Sequence, residues 1–239
     1  MNILCLSFKE HLIYKRKELT QDICYQSKEK IDLLVFPGNA KYKNVSSNDN
    51  SWVKPFGLSI GANIIAEKGS AINGNNRICL YGKDINEVTS KQIFSESSEI
   101  VSNPNLGKKL INEINQGERT FNLECHKIGI LICGENNILR NYQSKANLVS
   151  WRNGEPNNGW ADIIINPSHN TMGNWGKLNK RFEFISKKYG WLIYLTNNSS
   201  KHSWKTSIKI FKKGKEIRNG DNPNFCSKCH EAIGCLINI

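Results

Sequence analysis

One run in this 239-residue chain ends where chemistry could be done: Lys127-Ile-Gly-Ile-Leu-Ile-Cys133-Gly134-Glu135. Its continuous apolar stretch predicts a strand buried on both faces, and the strand breaks at a cysteine followed by glycine. In open α/β sheets the strand end is where a side chain reaches a pocket. A glycine after the thiol would leave room for a substrate and for backbone N–H donors. A free thiol with a pKa of ~8.5 is only a few per cent ionised at neutral pH, so a nucleophile here needs a nearby base or cation. Polar groups follow two neighbouring predicted strands: Asn166-Pro167-Ser168-His169, and Asn197-Asn198-Ser199-Ser200. Each is a candidate for contact with substrate, or a plain polar turn.

Other chemical signatures are missing. There is no Walker-type loop, no Gly-x-Gly-x-x-Gly and no His-Glu-x-x-His, so neither cofactor nor metal is expected. The cluster Cys226-Ser-Lys-Cys229-His230 matches haem attachment by letter only, and no second Cys/His pair has the spacing of a zinc site. We read it as structural. Cys5, Cys79 and Cys235 lie within apolar runs and read as small core residues.

The elements that must position Cys133 are short and regular. Strands are predicted at Asn2–Ser7, Asp32–Phe36, Ala62–Ala66, Arg77–Tyr81, Thr120–Glu124, Lys127–Cys133, Asp162–Asn166, Trp191–Thr196, Ser207–Lys212 and Ile233–Ile237. Helices are predicted near Lys9–Glu29, Asn105–Gln116, Asn137–Val149 and Lys177–Tyr189; in the last, Leu178, Phe182 and Ile185 form one apolar stripe. The class is α/β or layered α+β, with residues 1–239 as one domain. Ser46–Asn50 and Asn153–Asn158 read as polar loops. No apolar run nears the ~18 residues of a membrane span, and the short apolar start lacks a basic region before it, so a cytoplasmic protein with reduced thiols is expected. The net charge of +12 raises the prospect of an anionic partner such as nucleic acid. The charge is thinly spread, however, and its densest segment, Lys201 to Arg218, reads as a solvated strand and hairpin. Nucleic acid is the lesser alternative.

Over almost its whole length the chain resembles the nitrilase, or carbon–nitrogen hydrolase, superfamily. Asn2–Ser7 resembles that family's first strand, and Ile31-Asp-Leu-Leu-Val-Phe-Pro37 the segment carrying its catalytic glutamate. Ser90-Lys91-Gln-Ile-Phe is similar to the lysine segment. Ile128-Gly-Ile-Leu-Ile-Cys133-Gly-Glu135 is similar to the nucleophile strand. Ala161–Ser168, the helix to Tyr189, Trp191–Asn198 and Ser207–Gly214 follow in the family's order. The fold implied is a four-layer αββα sandwich, commonly assembled as a homodimer or larger.

The chemistry implied is a metal-free Glu–Lys–Cys triad acting on a small amide or nitrile through a thioester. On this resemblance Cys133 is the nucleophile and Lys91 stabilises developing negative charge, with Lys83, Lys108 and Lys109 as rivals. Asn166, Ser168 and His169 fall where the family contacts substrate. The family reads Phe-Pro-Glu where this chain reads Phe36-Pro37-Gly38. Three readings stay open: another carboxylate (Glu96, Glu99 or Glu135) supplies the acid–base group, the chain is a catalytically impaired relative that binds a partner, or the sequence carries a substitution of an ancestral glutamate. Glu135 corresponds to an acidic position that orients such sites.

Overall fold

The computed structural model describes residues 1–38, 52–68, 77–82, 88–142, 148–169, 174–199 and 203–239. Lys83, Ser200 and Ser46–Asn50 lie outside them. The strands are β1 (Asn2–Phe8), β2 (Leu33–Val35), β3 (Asn63–Lys68), β4 (Arg77–Tyr81), β5 (Val88–Lys91), β6 (Thr120–Leu123), β7 (His126–Ile130), β8 (Leu139–Asn141), β9 (Val149–Trp151), β10 (Ile163–Ser168), β11 (Trp191–Thr196), β12 (Ile208–Lys212), β13 (Lys215–Asn219), β14 (Phe225–Cys226) and β15 (Ala232–Asn238). The α-helices are α1 (Arg16–Gln26), α2 (Val53–Ile60), α3 (Ser97–Ser102), α4 (Pro104–Asn115) and α5 (Trp175–Tyr189).

Among the described residues two large sheets form, ordered β14-β15-β1-β2-β3-β4-β5 and β13-β12-β11-β10-β7-β6. Each is built around three parallel strands, β1-β2-β3 and β11-β10-β7, flanked by antiparallel neighbours. The alternation of strand side chains divides the interior into three apolar layers. Ile3, Cys5, Val35 and Ile65 of the first sheet meet Ile130, Ile165, Ile193 and Ile210 of the second between the sheets. Leu4, Leu34 and Ile64 point outward onto Leu19 and Ile23 of α1 and Val53 of α2. Ile164, Leu192 and Phe211 point outward onto Leu110 and Ile114 of α4 and Leu178, Phe182 and Ile185 of α5. This is a layered αββα sandwich. No described helix is long and apolar enough to cross a membrane.

Two expectations change. The helix expected over Asn137–Val149 does not form among the described residues, which leave out 143–147: a 3-10 turn over Cys133–Ile138 gives way to β8, paired antiparallel with β9. Asn137 and Asn141 turn their amide oxygens to Arg181 of α5, at 2.7 and 2.8 Å. Asparagine is a weak helix former whose side chain competes for hydrogen bonds, and here α5 satisfies it. The basic β12–β13 hairpin is not solvated throughout either. Lys209 is buried, pairs with Glu216 at 2.5 Å and lies over the Trp175 ring.

Candidate active site

The parallel strands of both sheets direct their C-terminal ends to one place. Cys133 follows β7, His169 follows β10, Asn197 follows β11, Glu67 lies near the end of β3 and Gly38 lies just beyond β2. Within β3, Ile65 faces the layer between the sheets, so alternation sends Glu67 there as well; Ile165 of β10 sets the same parity for His169.

Cys133 opens its 3-10 turn with φ +48°, a left-handed conformation uncommon outside glycine. The His169 imidazole and the backbone N–H groups of His169 and Gly134 lie near enough to its sulfur to favour the thiolate. On the far side of the ring, Nε2 of His169 lies 2.7 Å from Oε1 of Glu67, and both side chains are buried. Burial works against a thiolate at Cys133. The hydrogen bond and positive charge of His169, with the two backbone donors, outweigh it and hold the thiol below its ordinary value. Burial likewise works against the imidazolium, but donation to the Cys133 sulfur and the Glu67 carboxylate, with both their charges, pushes His169 up to about 10. The arrangement sets a half-buried thiol beside a buried imidazole that is backed by a carboxylate, and each favours the charged form of its neighbour.

Arg16, the first residue of α1, stands behind Glu67. Its Nη2 donates to the Gly38 carbonyl at 3.5 Å and to Oδ1 of Asn197 at 3.4 Å, and its guanidinium lies over Phe8. Burial lowers its pKa to about 10, against the raising effect of the Glu67 charge. Asn197 in turn donates from Nδ2 to the Gly38 carbonyl at 2.7 Å.

Of the residues singled out in the sequence, the structure brings Cys133 and His169 together, with His169 against the sulfur rather than at a substrate-contacting rim. Asn166 is fully buried and spent on backbone: Nδ2 donates to the carbonyls of Leu131 and Cys133, and Oδ1 accepts from Asn136. Ser168 shares the face of Asn166, opposite His169. It is buried, and its carbonyl accepts from the Gly38 N–H at 3.1 Å. Neither therefore presents its side chain to the space holding the sulfur.

Glu135 is also engaged elsewhere. Its carboxylate accepts from Arg119 at 3.0 and 3.1 Å and from the N–H groups of Ile93 and Ile132 at 2.7 and 2.8 Å. Four donors leave it no free role as a base, and it instead anchors the turn that carries Cys133. Lys91 has an exposed side chain that makes no ion pair or hydrogen bond among the described residues; its carbonyl accepts from Arg119 at 2.7 Å. It borders an open cleft of about 210 Å³ with Arg77, Ser90, Glu113 and Glu118. Of the other lysines considered, Lys108 and Lys109 are exposed on α4. Glu96 and Glu99 cap α3. The room expected after the thiol is also occupied: a Cβ on Gly134 would meet the Ser95 carbonyl oxygen at 1.7 Å.

Sequence reasoning missed Glu67 and Arg16 as site residues. Glu67 left one signal, a carboxylate immediately after the apolar Ala62–Ala66 strand, in the position strand ends reserve for chemistry. Arg16 left none, since one basic residue among several at a helix start carries no pattern.

No family model and no curated protein sequence matches this chain. Solved structures do resemble it. Nit3 from Saccharomyces cerevisiae, a member of branch 10 of the nitrilase superfamily, aligns with a TM-score of 0.58 at 10% identity, over 99% of this chain and 90% of its own. XC1258 from Xanthomonas campestris, a CN-hydrolase superfamily protein with an arsenic adduct in its active site, aligns with a TM-score of 0.57 at 8% identity, over 100% and 91%. A glutamine-dependent NAD(+) synthetase from Cytophaga hutchinsonii aligns with a TM-score of 0.55 at 13% identity; this chain is covered fully but spans only 43% of that enzyme. The chain has the fold of the nitrilase superfamily.

Proposed function

We propose that this nitrilase-type fold serves a cysteine-dependent carbon–nitrogen hydrolase acting on a small non-peptide amide or nitrile, with Cys133 as nucleophile. One observation carries the reading: the Cys133 thiol stands just past the C-terminal end of a parallel strand, beside the buried imidazole of His169 that Glu67 holds at 2.7 Å. That partner supplies the cation a thiol needs to ionise near neutral pH. In this reading the thiolate attacks an amide carbonyl carbon, the nitrogen takes a proton and leaves as amine or ammonia, and water hydrolyses the resulting thioester; with a nitrile, attack gives a thioimidate, to which water adds before ammonia leaves. The chemistry asks for neither metal nor cofactor.

The test is ammonia release from a panel of small amides and nitriles, with intact mass to catch an acyl adduct. Release that disappears in Cys133→Ala, with an adduct on the Cys133 peptide, is the expected result. No turnover and no adduct on any panel member would reject the reading. A second reading, ligand binding without turnover, is favoured by the outward position of Lys91, which leaves the site without the ammonium expected from that residue. It predicts panel compounds that protect Cys133 from alkylation yet release no ammonia.

A further inference from the structure

We infer that His169 is the acid–base residue of this site, that glycine at position 38 makes room for it, and that Glu67 is its positioning residue. The inference rests on the reading of Cys133 as the nucleophile. A Cβ on Gly38 would lie 3.0 Å from Cδ2 of His169, 3.0 Å from the carbonyl carbon of Ser168 and 3.1 Å from the His169 nitrogen. Two of those neighbours are backbone, held in place by the Gly38 N–H donating to the Ser168 carbonyl at 3.1 Å. A side chain at 38 would therefore press on the imidazole of His169, and the ring or the backbone beside it would have to shift by a few tenths of an ångström. Gly38 is not a gap where an acid–base group has been lost. A glutamate at 38 would start from a Cβ already tight against that ring.

The second observation is independent of Gly38. Glu67 holds Nε2 of His169 at 2.7 Å, which leaves Nδ1 as the nitrogen for the sulfur and fixes the ring's orientation. A nucleophile, a ring bonded to it and a third group orienting that ring is the logic of a hydrolytic triad, recognised by geometry rather than by chain order. Glu67 is buried, with the Arg16 guanidinium nearby.

The steps balance as follows for an amide. The Cys133 sulfur pair forms the C–S bond while the carbonyl π pair moves to oxygen. As the tetrahedral adduct collapses, the C–N bond breaks and the nitrogen takes the His169 proton, leaving a thioester and neutral imidazole. Water then attacks the thioester and gives a proton to the imidazole. The C–S bond breaks, returning the acid, the thiolate and the imidazolium.

The experiment is the pH dependence of Cys133 alkylation by iodoacetamide, read by peptide mapping because other cysteines are present, alongside thiolate ultraviolet absorbance. It compares wild type, His169→Gln, His169→Ala, Glu67→Gln, Gly38→Ala and Gly38→Glu, with circular dichroism to check folding. Wild type is expected to react readily at neutral pH. The His169 variants should slow by ~10–50-fold there, since an ordinary thiol is only a few per cent ionised, and their profiles should move to higher pH. Gly38→Ala and Gly38→Glu should move the same way, by displacing the ring. Glu67→Gln should give a smaller shift. A sluggish wild-type thiol would sink the nucleophile reading itself. A reactive wild type left unchanged by folded His169 variants, or accelerated by folded Gly38→Glu, would overturn this inference alone.

Discussion

At the scale of single residues, the left-handed backbone of Cys133 is an investment in presentation. Its φ of +48° costs a residue with a Cβ about 1–2 kcal/mol relative to glycine. Because Cys133→Gly and Cys133→Ala both lack the thiol, their difference isolates the backbone. Gly should be the more stable by about 1 kcal/mol in chemical denaturation, and equal stabilities would mean the turn carries no such strain. The pH dependence follows from the same pair. The charged groups facing His169 are Cys133 and Glu67, with Arg16 behind Glu67. Cys133 is held low, so turnover should rise with pH through a value below the ordinary thiol range. His169 is raised to about 10, so its proton, and the help it gives the leaving nitrogen, should be lost only as pH climbs through that region. A rate profile with a broad plateau between the two limbs is expected. A rise that begins only above the ordinary thiol range would contradict the ion pair. Cys133 and His169 were both legible in the sequence as polar residues at strand ends, but their contact was not, since they lie on different strands.

At the scale of elements, the turn carrying Cys133 is held from beneath by a buried ion pair. Arg119 joins three pieces: it donates to Glu135 of the turn, to Glu113 of α4 at 2.8 Å and to the carbonyl of Lys91 at the end of β5. Burial opposes its charge, yet Glu135 and Glu113 hold it above the usual guanidinium value. Removing Glu135 leaves Arg119, shut off from solvent, with only Glu113 and the Lys91 carbonyl as partners. Glu135→Ala should therefore cost about 3–5 kcal/mol, measured as a fall in the urea midpoint at unchanged slope. A loss under 1 kcal/mol would mean the turn is fixed by its other hydrogen bonds. Gly134→Ala meets the backbone oxygen of Ser95 and should be at least as damaging, with reactivity at Cys133 falling before the global fold is lost. The strand leading to Cys133 was readable because a run of Ile and Leu between polar residues has few other uses. The turn after it was not. Asn136, Asn137 and Asn141 owe their conformation to Asn166 and Arg181, more than 20 residues away, and no local pattern announces such partners.

At the scale of the whole molecule, the site exists because two sheets with the same arrangement of central strands are stacked face to face. Each directs three parallel strand ends toward the rim, and the layer of Ile, Leu and Val between them sets the spacing at which Glu67 of one sheet meets His169 of the other. Ile165→Ala, in the strand leading to His169, should cost about 2–5 kcal/mol through the cavity it leaves. If the spacing argument holds, Cys133 alkylation should also slow in the folded protein, whereas a purely local cavity would leave reactivity intact. The sequence by itself determined the layers: period-two and period-3.6 apolar patterns state which face of each element is buried, and burial of those faces is the main favourable term in folding. It also determined that a thiol would end a central strand. The tertiary structure alone decided which groups surround that thiol. Lys91 leaves the site, Glu135 is absorbed by Arg119, and Glu67 enters, because the partner of a buried charge is chosen by the crossing of distant chain segments. Local pattern carries no record of that crossing, and position 38 makes the point most directly: only the packed sheets reveal that the space beside its missing side chain holds a histidine.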